Sequence, residues 1–518
     1  MSEPATVGNS AGPGTAIALR FRDFGLAYSG AGRSERHIVQ GVDLDVPAGG
    51  VYLLVGPSGS GKSTLLKTLT NLWETREPMP RLSGELQLLG HSIRHRYPPQ
   101  LRGKVQAVLQ DEGLLDELTP RRNVELALRR AGRSKRLALG LLSQAGLEPA
   151  PATVAELSGG MRKRLAVARS LAGEPGLLIF DEPTAGLDAD SARDIAQLIL
   201  STQREASDQR TTLVITHDLS AFEDLADGVL MLDPSTTALR LVDPGTPVPK
   251  FKPSLVAGAD KQGYGFVDSV SHGVRRALLE LAALATTLYD CVVHAVPVFP
   301  VLALRTLGRY IIEPAFFIAI GCATVGGLAT FFALRNNPLE GAFTASVITG
   351  SGKVLIAVLI PLLAGFFFTA RVAAGAAARL GTMKRTSQVA ALRVLGVSPA
   401  DYLLIPLVFA SSLAMPIATF CGLIMTCVAS CLAAYLVAGI SPFSWGQAFF
   451  AEVQAEDFKF LILKTVLSGF LVAVQTYHLA MGPKRSGREV GQSVNAAIVL
   501  GIYSVLAIHA IFTLVQFG

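Results

Sequence analysis

The sequence predicts an α/β domain of the phosphate-loop type, followed by an α-helical polytopic membrane domain with about five spans and an interfacial helix. Three observations predict it. Residues 1–250 hold 28 Lys and Arg against 29 Asp and Glu, whereas residues 251–518 hold 18 against 11. Half of the 518 residues are hydrophobic, 17% are charged, and the mean hydropathy is +0.42. The apolar pattern also changes along the chain, from short strand-like runs to runs of spanning length. This composition excludes a disordered chain and an ordinary soluble enzyme, and the length exceeds one core. The formal charge of +6 sits in the apolar half. That placement indicates a membrane protein with cationic cytoplasmic loops and no nucleic-acid partner.

Residues 1–16, rich in Gly, Ser, Ala and Pro, lack the basic start and apolar core of a signal peptide and read as a disordered lead-in. The α/β domain takes residues 17–233. Its runs at 51–55, 177–180 and 212–215 are buried-strand patterns, and amphipathic helical patterns lie at 63–72 and 191–203. That alternation predicts a largely parallel sheet. Residues 234–273 turn to Pro, Gly, Ser and Lys and read as a linker. Residues 274–304 are interrupted by Arg275, Arg276, Glu280, Asp290, Pro297 and Pro300, so they predict an amphipathic element in the membrane interface.

Residues 305–518 form the membrane domain, with spans expected at 310–334, 354–378, 406–437, 460–480 and 494–515. If the α/β domain is cytoplasmic, the inner loops carry Arg379, Lys384, Arg385, Arg393, Lys484, Arg485 and Arg488. The outer loops carry only Arg335, Lys353 and Lys459, which fits the positive-inside rule and leaves the C-terminus outside. The five cysteines, Cys291, Cys322, Cys421, Cys427 and Cys431, show no metal or redox spacing and read as small apolar fillers.

After the run 51–55 comes Gly56-Pro57-Ser58-Gly59-Ser60-Gly61-Lys62-Ser63-Thr64, opening a helix. This is a complete phosphate-binding loop in strand–loop–helix context. Its glycines let backbone N–H groups close around phosphates at a helix N-terminus, and Lys62 supplies a point charge. Ser63 is placed to ligate Mg²⁺. Asp181 and Glu182 end a buried-strand run; Asp181 is suited to hold the metal and Glu182 to polarise an attacking water. The domain is therefore read as an α/β P-loop ATPase using ATP and Mg²⁺.

The run Leu157-Ser158-Gly159-Gly160-Met161 precedes the basic helix Arg162-Lys163-Arg164. Here the chain resembles the ATP-binding cassette (ABC) ATPases, whose signature is L-S-G-G-Q. The resemblance covers about residues 17–233, and Met161 departs from it. It implies that Ser158, Gly159 and Gly160 face phosphate, that Tyr28 stacks on adenine, and that Gln110 links magnesium to the membrane domain. It further implies that Asp188 belongs to a dimer-contacting loop and that His217 senses the γ-phosphate. Two cassettes sandwich two ATPs in that family, so a homodimer is expected.

In the second half, Arg371, Gly375, Gly381, Met383, Gln388, Ala391-Leu392, Gly396 and Pro399 follow an order that resembles the MlaE-type permeases. Those move lipids with Mce-domain partners between Gram-negative membranes. The departures are Ala357-Val358-Leu359-Ile360-Pro361 in place of R-E-L-G-P, and Arg379 in place of a glutamate. The resemblance implies ATP-driven transport of lipid, in particular phospholipid, at a bacterial inner membrane, with Gly381, Met383, Gln388 and Gly396 coupling the two domains across residues 379–399. Two other readings stay open at this point. One is a half-size ABC exporter of lipids, sterols or drugs, and the other is a mechanotransmission ATPase without transport.

Overall fold

The computed structural model describes residues 16–29, 35–74, 77–94, 97–149, 151–204, 210–217, 221–222, 226–243, 266–336, 344–484 and 486–518. The expected lead-in and most of the expected linker lie outside them. The described residues form two compact units. One comprises the chain up to Glu280 together with Thr386–Ser398, and the other comprises Leu281–Arg385 with Pro399–Gly518.

In the first unit the strands are β1 (Ile17–Ser29), β2 (Glu35–Pro47), β3 (Val51–Val55), β4 (Arg81–Leu88), β5 (His91–Ile93), β6 (Val105–Val108), β7 (Leu177–Asp181), β8 (Thr211–Ile215), β9 (Gly228–Asp233) and β10 (Ala238–Val242). Its helices are α1 (Lys62–Thr70), α2 (Pro120–Arg130), α3 (Leu137–Gln144), α4 (Gly159–Leu171) and α5 (Ala189–Arg204). The six-stranded sheet runs β10-β9-β3-β8-β7-β6, parallel except at β10. The expected parallel sheet is thus present. β3 is buried at all five positions, as a strand covered on both faces must be. A second sheet, β2-β1-β4-β5, is wholly antiparallel and packs into the same core through Phe21, Phe24, Leu26 and Leu86.

The expected linker starts too early. Asp233 accepts from the Ser235 amide and hydroxyl, turning the chain so that β10 returns antiparallel to β9. Five residues containing Arg240 give too short an alternation to be read as a strand.

The second unit is helical. It contains part of α6 (Phe266–Val293), then α7 (Pro300–Arg335), α8 (Thr344–Arg385) and, after the segment belonging to the first unit, α10 (Ala400–Ala438). That intervening segment holds α9 (Gln388–Val394). The unit ends with α11 (Pro442–Phe449), α12 (Ala455–Ala480) and α13 (Gly487–Phe517). The stretch expected to be one interfacial element is the end of α6, a break, and the start of α7. Among the described residues four helices, α7, α8, α10 and α13, are long and apolar enough to cross a membrane.

The fifth expected span, α12, is a continuous helix but is not among those four. Glu456, Asp457, Lys459 and Lys464 load its first turns with charge. It nevertheless runs the length of its neighbour, antiparallel to α13, since Lys464 Nζ donates to Gln516 Oε1 at 2.9 Å and Gln475 Nε2 to Ser504 Oγ at 2.7 Å. Lys464 is fully buried and also donates to the Ala357 carbonyl at 2.9 Å. Ala357 lies in a π-helical stretch of α8, Leu355–Leu359, where the i→i−4 ladder is interrupted.

α7 and α10 run parallel and touch where residues are small. A Cβ on Gly326 would strike Thr426, and one on Gly422 would lie 2.9 Å from Cys322 Sγ. The Thr426 hydroxyl donates to the Cys322 carbonyl, and the Thr330 and Ser430 hydroxyls lie 2.8 Å apart. Close approach plus interhelical hydrogen bonds is how helices associate in lipid.

Candidate functional site

β3 delivers the chain into the loop 56–61, and α1 begins at Lys62. Gly61 occupies the N-cap position of α1 with φ 110°, and a Cβ there would collide with Ile38. A Cβ on Gly56 would lie 2.7 Å from the Leu232 carbonyl. Only glycine fits either position. Lys62 Nζ donates to the Gly56 carbonyl at 2.6 Å and to the Pro57 carbonyl at 3.1 Å. Burial pulls its ammonium below the ordinary lysine value, against the opposing charges of Glu182 and Asp181. Ser60 Oγ is buried and makes no hydrogen bond, so a polar atom faces the cradle without a protein partner.

Asp181 ends β7 and Glu182 follows with φ 50°. The Glu182 amide donates to the Ile215 carbonyl at 2.8 Å, and Glu182 Oε2 lies 2.7 Å from His217 Nδ1. Burial, then the neighbouring Glu182 charge, pushes the Asp181 carboxyl up to about 6. A cleft of about 870 Å³ is lined by Tyr28, Ser58, Gly59, Gly61, Lys62, Ser63, Thr64, Gln110, Asp181, Glu182 and His217. The Tyr28 hydroxyl lies 3.4 Å from Thr64 Oγ1, so strand β1 supplies an aromatic ring to the rim. The parallel pairing of β3, β8 and β7 thus gathers residues from positions 28 to 217 at one edge.

Ser158, Gly159, Gly160 and Asp188 do not line this cleft. Ser158 caps α4, its Oγ accepting from the Met161 amide at 3.3 Å, and both Ser158 and Gly159 are exposed. Asp188 accepts from the amide and hydroxyl of Ser191 at the start of α5, which holds its carboxyl below the ordinary value.

Several residues of the site escape a reading of the sequence. Arg36 and His37, from β2, line the cleft opposite Tyr28, with which Arg36 is paired across the strands. The α4 cations Lys163 and Arg169 look like a solvated face but are buried. Arg169 donates to the carbonyls of Gly113 and Glu112 at 2.6 and 2.7 Å, and Lys163 Nζ to the Glu182 carbonyl at 3.4 Å. Only the basic spacing along α4 hinted at them.

The stretch after Gln110 also receives α9. Gln388 Nε2 donates to Asp116 Oδ2 at 2.8 Å and Ser387 Oγ to Asp111 Oδ2 at 3.4 Å. Gln106 Nε2 donates to the Val394 carbonyl at 3.1 Å, and Arg130 to the Gly396 carbonyl at 2.5 Å. Gly113 has φ 58°, and a Cβ there would lie 2.6 Å from Ala391 Cβ. Of the four residues expected to couple the domains, Gln388 and Gly396 lie in this segment. Gly381 and Met383 lie inside α8, buried in the helical unit, where Gly381 faces Val490 and Ser493 of α13. The expected loop 379–399 is therefore shorter, because α8 stays helical to Arg385.

Residues 39–185 match the ABC transporter family and residues 304–515 match permease MlaE. The methionine import ATP-binding protein MetN of Streptomyces coelicolor is 36% identical over 233 residues, covering 42% of this chain and 63% of that protein. The chain thus spans less than two thirds of that relative. The probable amino-acid import ATP-binding protein YxeO of Bacillus subtilis is 32% identical over 216 residues, covering 40% of this chain and 84% of that protein. The glutamate transport ATP-binding protein GluA of Corynebacterium glutamicum is 34% identical over 203 residues, covering 38% and 81%. A dimeric ATP-binding cassette in a post-hydrolysis state, bound to ADP and Pi, is 28% identical, covering 43% of this chain and 98% of that one, with a TM-score of 0.37. Signature, cleft and both family matches converge: the chain belongs to the ABC transporters, carrying an ABC ATPase domain and an MlaE permease domain in one polypeptide.

Proposed function

We propose that the chain is one half of a homodimeric, ATP-driven lipid transporter of a bacterial inner membrane, with phospholipid as the cargo class and an Mce-domain protein as its periplasmic partner. The observation that carries this reading is α9. The segment Thr386–Ser398 joins two candidate spans in sequence yet packs within the cassette unit, against the residues that follow Gln110. Any shift of Gln110 in the nucleotide cleft is therefore felt at the root of two membrane helices. The lipid assignment rests on the permease match, since the curated relatives cited above cover well under half of this chain.

The cleft suits ATP. Positive-φ glycines, the unpartnered Ser60 hydroxyl and the N-terminus of α1 form an anion cradle, and Lys62 is within it. Ser63, Gln110 and Asp181 offer a hydroxyl, an amide oxygen and a carboxylate, a donor set for a hard cation. Magnesium, when bound, neutralises charge on the phosphate oxygens. Glu182 polarises the attacking water, and His217, hydrogen-bonded to it, fixes the carboxylate's direction. Ser158, Gly159 and Gly160 present an exposed helix N-terminus to the phosphates of a second copy, with Asp188 at the same contact. In this arrangement α12 spans with the four apolar helices, and the C-terminus is periplasmic.

The test is reconstitution of the full chain in proteoliposomes, following ATP-dependent movement of labelled phospholipid beside uptake of labelled methionine and glutamate. ATP-dependent lipid movement without amino-acid uptake is the expected result. Amino-acid uptake without lipid movement overturns the lipid assignment.

A further inference from the structure

We propose that a second, non-catalytic anion site lies at the joint between the cassette and α9, taking a phosphate ester that bears a free hydroxyl, the chemistry of a phosphoglycerol headgroup. A pocket of about 320 Å³ opens there, away from the nucleotide cleft. Arg102, Lys104 and Arg130 line it, and no acidic side chain does. Arg102 and Lys104 have no ion-pair partner among the described residues. Three cations without a counter-charge around one concavity attract an anion strongly.

Gln106 makes the second, independent observation. It lines the same pocket, is 2% exposed, and its Oε1 has no hydrogen-bond partner. Its amide orientation is fixed, because Nε2 donates to the carbonyls of Gly103 at 3.3 Å and Val394 at 3.1 Å. An unpaired buried acceptor costs free energy until a donor reaches it. A phosphodiester satisfies the cations but has no hydroxyl hydrogen on phosphorus to offer Oε1; a free hydroxyl on its alcohol supplies that donor.

Position favours a lipid source. Gly396 lines the pocket, and Ala400, four residues on, begins a candidate span, a chain length of at most about 14 Å. A ligand here would also act on α9. Arg130 holds the Gly396 carbonyl, and a phosphate oxygen competes with that carbonyl for the same guanidinium. Occupancy then loosens one tie between α9 and the cassette, so the composition of the inner leaflet would tune coupling. This regulatory consequence rests on the transporter reading above; the binding itself does not.

The test uses the full chain in detergent, with ADP saturating the phosphate loop so that it cannot take the probe. Calorimetric titrations use glycerol 1-phosphate and dihexanoylphosphatidylglycerol, with dihexanoylphosphatidylcholine as the control lacking free hydroxyls. Saturable binding of the two glycerol probes is expected, at least tenfold tighter than the control. The exposed pair Arg102→Gln with Lys104→Gln should weaken both probes at least tenfold and leave ADP binding unchanged. Gln106→Leu should weaken dihexanoylphosphatidylglycerol more than dihexanoylphosphatidylcholine. The lipid binding tenfold more tightly than glycerol 1-phosphate assigns the membrane as source, and equal affinities assign a soluble ester. No saturation by either probe, or an unaffected double variant, overturns the site. Failure of ADP to bind the wild type would instead count against the nucleotide reading.

Discussion

Glu182 adopts φ 50°, a left-handed conformation that costs a non-glycine residue roughly 1–2 kcal/mol. The structure holds it there by the amide's bond to Ile215 and the carboxylate's contact with His217. Strain so firmly fixed aims the side chain into the cleft. Glu182→Gln keeps the shape and removes the charge, so ATP should still bind while turnover falls by at least about 100-fold. Undiminished turnover in the pure variant removes Glu182 from the chemistry. Asp181 makes a pH prediction. Its carboxyl is raised to about 6, so it is ionised at pH 7 and becomes neutral as pH falls through 6. Magnesium-dependent nucleotide affinity should then drop about tenfold per unit below pH 6, as expected when one proton competes with the cation. Asp181→Asn should flatten that dependence as well as weaken the affinity. At this scale the sequence was legible wherever a motif fixes spacing, as in Gly56 to Thr64. It was blind to Lys163 and Arg169, because their burial depends on Glu112, Gly113 and Glu182, which only the folded chain brings near.

α9 is a seven-residue helix, yet its docking makes stringent demands on the loop that receives it. Gly113 combines a positive φ with a Cβ direction that points into Ala391 and the Ser387 carbonyl. Gly113→Ala should therefore leave basal ATPase activity within about threefold while transport is lost, because the strain and overlap fall on the docking surface. Proteoliposome transport and ATPase rates on one preparation check this, and retained transport would refute it. Gly381→Val belongs to a different packing. Its Cβ would lie 3.0 Å from Val490 Cγ1 of α13, so overpacking of the helical unit by about 1–3 kcal/mol is expected, read as a lowered Tm in detergent. The elements were legible in unequal measure. β3, and the apolar runs 177–180 of β7 and 213–215 of β8, are buried on both faces and so read as central strands. The antiparallel sheet was not foreseen, since β1 mixes Arg20, Arg22 and Asp23 with its buried face and bulges against β2. α12 read as a span from its apolar stretch, although charge at its start separates it from the four longest apolar helices.

At the scale of the whole molecule, the proposed homodimer completes a nucleotide site that one chain would leave open. Ser158 and Gly159 are exposed at the start of α4, and neither lines the cleft that holds Lys62 and Glu182. A helix N-terminus with free N–H groups and a capping serine is an anion site without an anion partner in its own chain. In the homodimer proposed above, each α4 would meet the cleft of the other copy across a two-fold axis. Mixing chains that carry Ser158→Arg with chains that carry Lys62→Ala tests this. Either pure dimer has both sites damaged, by a cation and bulk at the helix start or by loss of the phosphate-binding ammonium. A mixed dimer places both lesions in one site and leaves the other whole. With random pairing and independent sites, ATPase activity should return to about a quarter of the wild-type rate. Sites contained within single chains would give no recovery, because every chain in the mixture carries one lesion. Affinity tags of two kinds, one on each variant, isolate the mixed dimers, so that absent activity in demonstrated mixed dimers counts against sharing and not against assembly.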